Sequence, residues 1–385
     1  MNTQYSIPFR QFHILQILHH FEKQRTPLDR FLNHYFRTHT AVGSKDRKFI
    51  ADTIYEIIRW QLLLDKLSGE HPTIETRYAI YQAFQPSNFL SVNSIEPHIR
   101  VSFPQELFSL LKEHYGEEEA LSLCQISNTK APLSIRVNPL KSTRELLLKK
   151  LQASYVVYPT KKSSLGIQFK ERAVLLQLPE YKEGHFEIQD EASQLICELL
   201  PLRPHDRFLD YCAGSGGKSL GSAHKLQGQG EIYLHDTRPH MLLEAKKRVQ
   251  RSGIPNVHYL EPRDNRLKKL KKSIDCLLLD VPCSGTGTLR RNPDQKWRFS
   301  LRMLENLIKV QREIFQEAIT YVKPGGSIVY ATCSLLKEEN EQQVDYFLKH
   351  FPVRLQGEPF CSQPIFEGMD GLFAVCLYHS LEITS

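Results

Sequence analysis

Much is missing from this chain of 385 residues, and each absence narrows its reading. No stretch approaches the roughly 18 consecutive apolar residues of a membrane-spanning helix, so a membrane protein is not expected. The start, Met1-Asn-Thr-Gln-Tyr-Ser-Ile-Pro8, has no basic segment followed by an apolar one, so no secretory signal is expected either. The eight cysteines include no Cys-x-x-Cys pair, which argues against a zinc site. They form no disulfide pattern, and this suggests a reducing, cytoplasmic setting. There is no internal repeat and no low-complexity tract. The net charge of +7 is modest and alone says little about partners.

The length suggests two or three domains, and 41% apolar residues suffice for real cores. Phe9 to about Asn93 reads as helical. Phe9, Phe12, Leu15, Leu18 and Phe21 recur at helical spacing, as do Ile50, Ile54, Ile57 and Ile58, and the aromatic stripe reads as core. Phe103 to Cys124 reads as helices broken at Gly116. Leu133–Val137, Leu146–Leu151 and Tyr155–Tyr158 read as strand, helix and strand. From Phe186 onward strands and helices alternate, as in a doubly wound α/β domain.

Two cysteines carry most of the chemistry. Cys283 lies in Asp280-Val-Pro-Cys-Ser-Gly-Thr-Gly287, and Cys333 in Tyr330-Ala-Thr-Cys-Ser334. Each follows a short apolar run of strand character. In open α/β sheets ligands bind at the carboxyl ends of strands, so two thiols delivered there suggest sulfur chemistry on a shared substrate. Taken singly, each reads as well as a small buried hydrophobe.

A glycine turn supplies the second signal. Phe208-Leu-Asp-Tyr-Cys-Ala-Gly-Ser-Gly-Gly-Lys-Ser219 reads as strand, tight turn and helix start. The phosphate-binding pattern Gly-x-x-x-x-Gly-Lys-Ser/Thr fails because Cys212 stands at its first glycine. The dinucleotide pattern Gly-x-Gly-x-x-Gly fails because Ser219 stands at its last. S-adenosylmethionine, which has no phosphates, needs only a glycine turn and an acid for its ribose. Asp236, at the end of the strand Glu231–His235, is placed for that ribose. The helix from about Met241 to Ser252 closes at Gly253. After a third strand, Asn256–Leu260, Asp264 reads either as a partner for the adenine amino group or as a solvated loop acid. Asp280 ends the fourth strand beside Cys283.

Arg266-Leu-Lys-Lys-Leu-Lys-Lys272 reads either as a solvated helix face or as a polyanion contact. Arg290, Arg291, Lys296 and Trp297, just past Cys283, are read as RNA contacts.

At this point the chain resembles the RNA cytosine-5 methyltransferases of the RsmB/NOP2/Sun (Fmu) family. The matching segments are Asp210–Lys218, Asp280–Gly287, Arg290–Trp297, Thr332–Ser334 with Glu338-Glu-Asn340, and, upstream, Ile135-Arg-Val-Asn138 and Gln189–Gln194. Ser215 departs from the pattern, since many members carry proline there. Gly43–Phe49 and the helix behind it resemble the NusB-like domain of bacterial members.

The resemblance implies a fold of class α/β: a Rossmann-like S-adenosylmethionine methyltransferase domain over residues 185–385. It is preceded by an all-α NusB-like RNA-binding domain over 1–95, and by a helical linker plus a small α+β, RRM-like subdomain over 96–184. It implies Cys333 as nucleophile and Cys283 as the thiol that assists product release. Cys212, Ala213, Gly214, Ser215, Gly216, Gly217, Lys218, Asp236, Asp264 and Asp280 would bind S-adenosylmethionine, and Cys212 also reads as a packing residue. The implied partner is RNA, with 16S ribosomal RNA the expected substrate of a cytoplasmic monomer. The same chemistry on transfer RNA stays open, as does a non-catalytic NusB-like RNA-binding or transcription factor. A DNA methyltransferase is disfavoured by the Thr-Cys motif.

Overall fold

The computed structural model describes residues 7–24 and 26–380. The chain divides into two compact units. One comprises residues 1–130 together with Thr288–Leu301; the other comprises Ala131–Gly287 and Arg302–Ser385. This division differs from the boundaries expected near 95 and 184. The helices Pro97–Arg100, Gln105–Tyr115 and Glu117–Ser127 belong to the first unit, and the small subdomain belongs with the large sheet. Among the described residues no helix is long and apolar enough to cross a membrane.

The first unit is all-α, as expected of a NusB-like region. Its core is built from Ile14, Ile17 and Leu18, Leu28 to Tyr35, Ile50 to Ile58, and Trp60 to Leu64. The helix Phe9–Phe21 keeps part of the face read in the sequence, with Leu18 buried and Leu15 and Phe21 packed against the core. It buries His13, Ile14, Ile17 and Leu18, while Phe9 and Phe12 are exposed. Imidazole and aliphatic side chains meet the neighbouring helices, His13 Nδ1 lying 2.7 Å from the Tyr35 hydroxyl, and at the helix end the Phe21 ring lies 5.6 Å from that of Phe31.

The segment Thr288–Leu301 overturns the reading of Arg290, Lys296 and Trp297 as RNA contacts, while Arg291 is half-buried and keeps that reading open. Lys296 is 1% exposed and Arg290 is 2% exposed. Lys296 Nζ donates to the Arg59 carbonyl at 2.7 Å and to Asn128 Oδ1 at 2.8 Å, with the Phe103 and Trp297 rings 4.4 and 4.9 Å away. Burial holds its pKa well below the usual lysine value. The Trp297 indole N–H donates to the Ile58 carbonyl at 2.7 Å, and Asp294 Oδ2 accepts from the Leu28 N–H. The segment is an internal strut for the helices.

The second unit holds two sheets. The small one runs in the order β2 (Val157–Pro159), β3 (Gly166–Phe169), β1 (Leu133–Val137), β4 (Phe186–Ile188), with antiparallel pairing throughout. The helix Arg144–Gln152 joins β1 to β2, capped by Thr143 Oγ1. The large sheet runs β10 (Val353–Leu355), β12 (Phe373–His379), β9 (Val322–Thr332), β8 (Ile274–Asp280), β5 (Arg207–Asp210), β6 (Glu231–His235), β7 (Val257–Leu260), and β11 (Phe360–Cys361) pairs with β12. Strands β5 to β9 pair in parallel; β10, β11 and β12 are antiparallel additions at one side.

Strand β8 is covered on both faces, which is why it reads as an unbroken apolar run. Leu277 and Leu279 pack with Phe315, Tyr330 and Phe347 on one side. Cys276 and Leu278 pack with Phe208, Ile232 and Val329 on the other. The sequence Lys323-Pro-Gly-Gly326 lies within β9 as a bulge between the Ile274↔Val322 and Cys276↔Ser327 pairs.

Candidate active site at the carboxyl edge of the large sheet

Strand order reverses between β5 and β8: the chain winds outward through β6 and β7, then returns to the other side of β5. At such a switch point the loops beyond the strand ends diverge and leave a crevice. The glycine turn follows β5, Asp280 and Cys283 follow β8, and Cys333 follows β9. The sequence-predicted residues of these three loops therefore share one edge of the sheet.

The glycine turn takes its shape from two left-handed residues, Gly214 (φ +52°) and Gly216 (φ +78°), the latter opening the helix Gly217–Ser222. A Cβ on Gly214 would meet nothing nearer than Met241 Cε at 3.8 Å, so the face of the turn is bare. The Ala213 N–H donates to the His235 carbonyl, and the Gly214 N–H to Asp236 Oδ2 at 2.8 Å. Turn and β6 end are thus one rigid piece. Asp236 also accepts from the Arg238 N–H and guanidinium. Burial opposes its charge, but these bonds outweigh burial and keep the carboxyl below its usual pKa. Arg238 is about half exposed and covers the carboxylate that the sequence assigns to a ribose. Cys212 is half-buried, and burial pushes its thiol well up, as fits a packing residue.

Asp264 sits apart from this edge's hydrogen-bond network. It caps the helix Asn265–Lys269 through the Arg266 N–H and pairs with the Arg266 guanidinium at 2.6 Å. Lys268, Lys269, Lys271 and Lys272 of the same basic run are exposed.

Lys218 Nζ meets Asp280 Oδ2 at 2.5 Å. Burial opposes the ammonium, but the paired carboxylate outweighs it, and the Lys218 pKa is pushed up to about 12. At the end of β5, Asp210 is buried and accepts from Ser219 Oγ at 2.5 Å; burial, reinforced by the Asp280 charge, pushes its carboxyl up to about 7.

The two cysteines meet. Cys283 Sγ lies 3.2 Å from Cys333 Sγ, and the Cys333 N–H donates to Cys283 Sγ at 3.3 Å. The shared hydrogen bond splits the pair: donation from Cys283 holds the Cys333 thiol below its ordinary pKa, with Lys218 adding to the effect, while the Cys283 thiol is pushed well up. Cys333 is therefore the member of the pair that carries thiolate more readily.

Beneath them lies a residue that sequence reading quoted within a motif but assigned no task. Glu339 is fully buried. Its Oε1 accepts from the Ser284 N–H at 2.9 Å and from Gln311 Nε2 at 3.0 Å; its Oε2 accepts from Ser284 Oγ and Ser334 Oγ at 2.5 Å each. Ser284 follows Cys283 and Ser334 follows Cys333, so one carboxylate ties both cysteine loops together. Asn340 Nδ2 donates to the Ser334 carbonyl, and the Gly287 N–H to the Cys333 carbonyl.

The donor set suits S-adenosylmethionine. A bare glycine turn, a buried acid at the β6 end, and a Lys218–Asp280 pair carrying both signs of charge match a nucleoside joined to an amino acid. Parallel strands with this glycine turn define a Rossmann-like methyltransferase fold of the S-adenosylmethionine-dependent class. Comparison with known proteins narrows the class. Residues 197–367 match the family model for the 16S rRNA methyltransferase RsmB/F, and residues 103–174 match the ferredoxin-like domain of RsmF/B-like methyltransferases. Together the two cover more than half of the chain, which belongs to the RsmB/F methyltransferase family.

The chain is 33% identical over 270 residues to "Probable ribosomal RNA small subunit methyltransferase B" of Synechocystis sp.. It is 34% identical over 290 residues to ribosomal RNA small subunit methyltransferase B of Vibrio cholerae. These matches take in 69% and 72% of this chain but only 60% and 65% of those proteins. A mouse 28S rRNA (cytosine-C(5))-methyltransferase is 32% identical over 261 residues, 66% of this chain and 33% of that protein. The crystal structure of PH0851 shares the fold, with a TM-score of 0.81 at 23% identity over 97% of this chain and 99% of that one.

Proposed function

We propose that the protein methylates carbon 5 of a cytosine in RNA, and that the RNA is that of the small ribosomal subunit. The observation that carries this reading is the 3.2 Å approach of Cys283 and Cys333 from adjacent strand ends, beside the Lys218–Asp280 pair. The names of the bacterial and mouse relatives support the substrate class and the position of attack.

Carbon 5 of cytosine is a weak nucleophile. The Cys333 thiolate adds to carbon 6, which interrupts the ring's conjugation and makes carbon 5 enamine-like. Hydrogen bonding from Cys283 and the positive potential of Lys218 favour that thiolate. S-adenosylmethionine, when bound, supplies an electrophilic sulfonium methyl group. Asp236 would hold its ribose, the Cys212–Gly217 turn its backbone-facing side, Asp280 and Lys218 its amino-acid end, and Asp264 its adenine. After transfer the carbon 5 proton must leave and the carbon 6–sulfur bond must break. Cys283, in contact with Cys333, assists that release. A target cytosine that is paired or stacked would be flipped out of its helix to reach this edge.

Bisulfite sequencing of total RNA from cells with and without the gene tests the reading. Loss of one protected cytosine in small-subunit ribosomal RNA is the expected result. Loss in transfer RNA alone would overturn the substrate, and no loss in any RNA would overturn the activity.

A further inference from the structure

The upstream segments Ile135–Asn138 and Gln189–Gln194 contribute no residue to the large sheet's edge, yet their side chains reach it from behind. Arg136 lies on β1 of the small sheet and is 3% exposed. An isolated buried cation is costly unless well partnered. This guanidinium does not pair with a carboxylate. It donates to Gln189 Oε1 and, at 3.0 Å, to the Gly217 carbonyl, while its Nε has no hydrogen-bond partner. Gln189 Nε2 donates to the same Gly217 carbonyl at 3.2 Å. Two donors from the small sheet's side thus converge on one carbonyl of the glycine turn.

The other side of the turn is held in parallel. Arg248 Nη1 donates to the Ser215 carbonyl at 3.0 Å and to Ser215 Oγ at 2.6 Å. Arg248 is itself fixed by Glu187 Oε2 at 2.9 Å, and Glu187 also takes Arg251. Glu187 lies on β4, and Arg136 and Glu187 are register partners across the β1–β4 pair. Neighbouring positions of one small sheet therefore hold Gly217 directly and Ser215 through Arg248. The approach is close: a Cβ on Gly221, one turn into the helix, would stand 2.6 Å from Arg136 Nη1.

We propose that the small sheet is a backstop for the cofactor turn, with Arg136, Glu187 and Gln189 as positioning residues that set S-adenosylmethionine affinity. This rests on the assignment of that turn to the cofactor. The Ser215 hydroxyl gives Arg248 a second acceptor beside the Ser215 carbonyl.

Isothermal titration of the full chain with S-adenosylmethionine tests the proposal, alongside RNA binding and melting temperature. Arg136→Met is expected to weaken cofactor binding about tenfold, the scale of one lost charge-assisted hydrogen bond, with RNA affinity within about twofold of wild type. Arg136→Lys, which keeps one donor, should recover part of the loss. Glu187→Gln, which touches no turn atom, should weaken cofactor binding about threefold through Arg248 on the same scale. If Arg136→Met does not fold, Glu187→Gln decides. Lowered melting temperature with cofactor affinity unchanged in the folded variants would reduce the small sheet to packing and overturn the proposal. A wild-type chain that takes up no S-adenosylmethionine would overturn the assignment of the turn itself, and is distinguishable because it appears before any substitution.

Discussion

Replacing Glu339 separates two jobs that one carboxylate performs. Glu339→Ala leaves the Ser284 N–H and one Gln311 N–H buried without an acceptor. Each stranded donor costs about 1–3 kcal/mol. The two hydroxyls escape this, because Ser284 Oγ and Ser334 Oγ stand 3.1 Å apart and can pair. With the void left by the lost side chain the total is about 4 kcal/mol, or a fall of about 10 °C in melting temperature for a unit of this size. Glu339→Gln keeps an acceptor for the two N–H donors and turns its amide toward the hydroxyls, which rotate to accept. Its cost is about 1 kcal/mol. Thermal melts of the three proteins check the ordering. Iodoacetamide alkylation against pH checks the charge: the Glu339 carboxylate raises the thiol pKa, so Glu339→Gln should shift Cys333 alkylation to lower pH. Equal destabilisation by Ala and Gln, or an Ala variant within about 1 kcal/mol of wild type, would refute the account of Glu339 as the tie between the two cysteine loops.

Cys333→Ala should abolish methyl transfer and leave cofactor binding nearly intact, while Cys283→Ala should accumulate a protein–RNA adduct on a denaturing gel; the opposite pattern would exchange the two roles. Asp236→Ala should weaken S-adenosylmethionine binding about tenfold, the scale of a lost hydrogen bond to a charged group, and unchanged titration curves would remove it from the ribose role. Asp210 has a folded pKa raised to about 7, above the unfolded value of about 3.9. Its stabilising contribution is therefore full below the unfolded value and is lost as pH rises through about 7. Asp210→Asn should accordingly gain melting temperature relative to wild type at pH 8 over pH 5, and a gap that ignores pH would contradict the burial of that charge.

What could be read from sequence followed the range of the interactions. Strand ends, the glycine turn, the Asp236 position and the helix break at Gly116 are local patterns, and each lies where its residues place it. Failures came where a partner is distant in the chain. Lys296 and Trp297 look like RNA contacts beside Cys283, but their acceptors are backbone carbonyls at Arg59 and Ile58, which no local pattern announces. In the Phe9–Phe21 helix only Phe9 and Phe12 misled, because aromatic spacing outweighed the His13, Ile14 and Ile17 beside them. Glu339 could have been singled out on one ground: a doubled acid between Leu336 and the polar helix Glu341–His350, just past the Thr-Cys turn, invites the question of which carboxylate faces inward. Arg136 and Gln189 gave no such signal beyond their place in matching segments.

The strut Thr288–Leu301 has a consequence for how such a protein is inherited and cut. Its residues are encoded amid the half that holds the large sheet, yet Asp294, Lys296 and Trp297 complete the interior of the helical half. A recombination event that exchanged the first 130 residues for another module would leave this plug behind, moulded to a vanished host. The helical half is therefore no interchangeable cassette. A fragment beginning at Ala131 would carry an orphaned loop of buried-type side chains a few residues past Cys283.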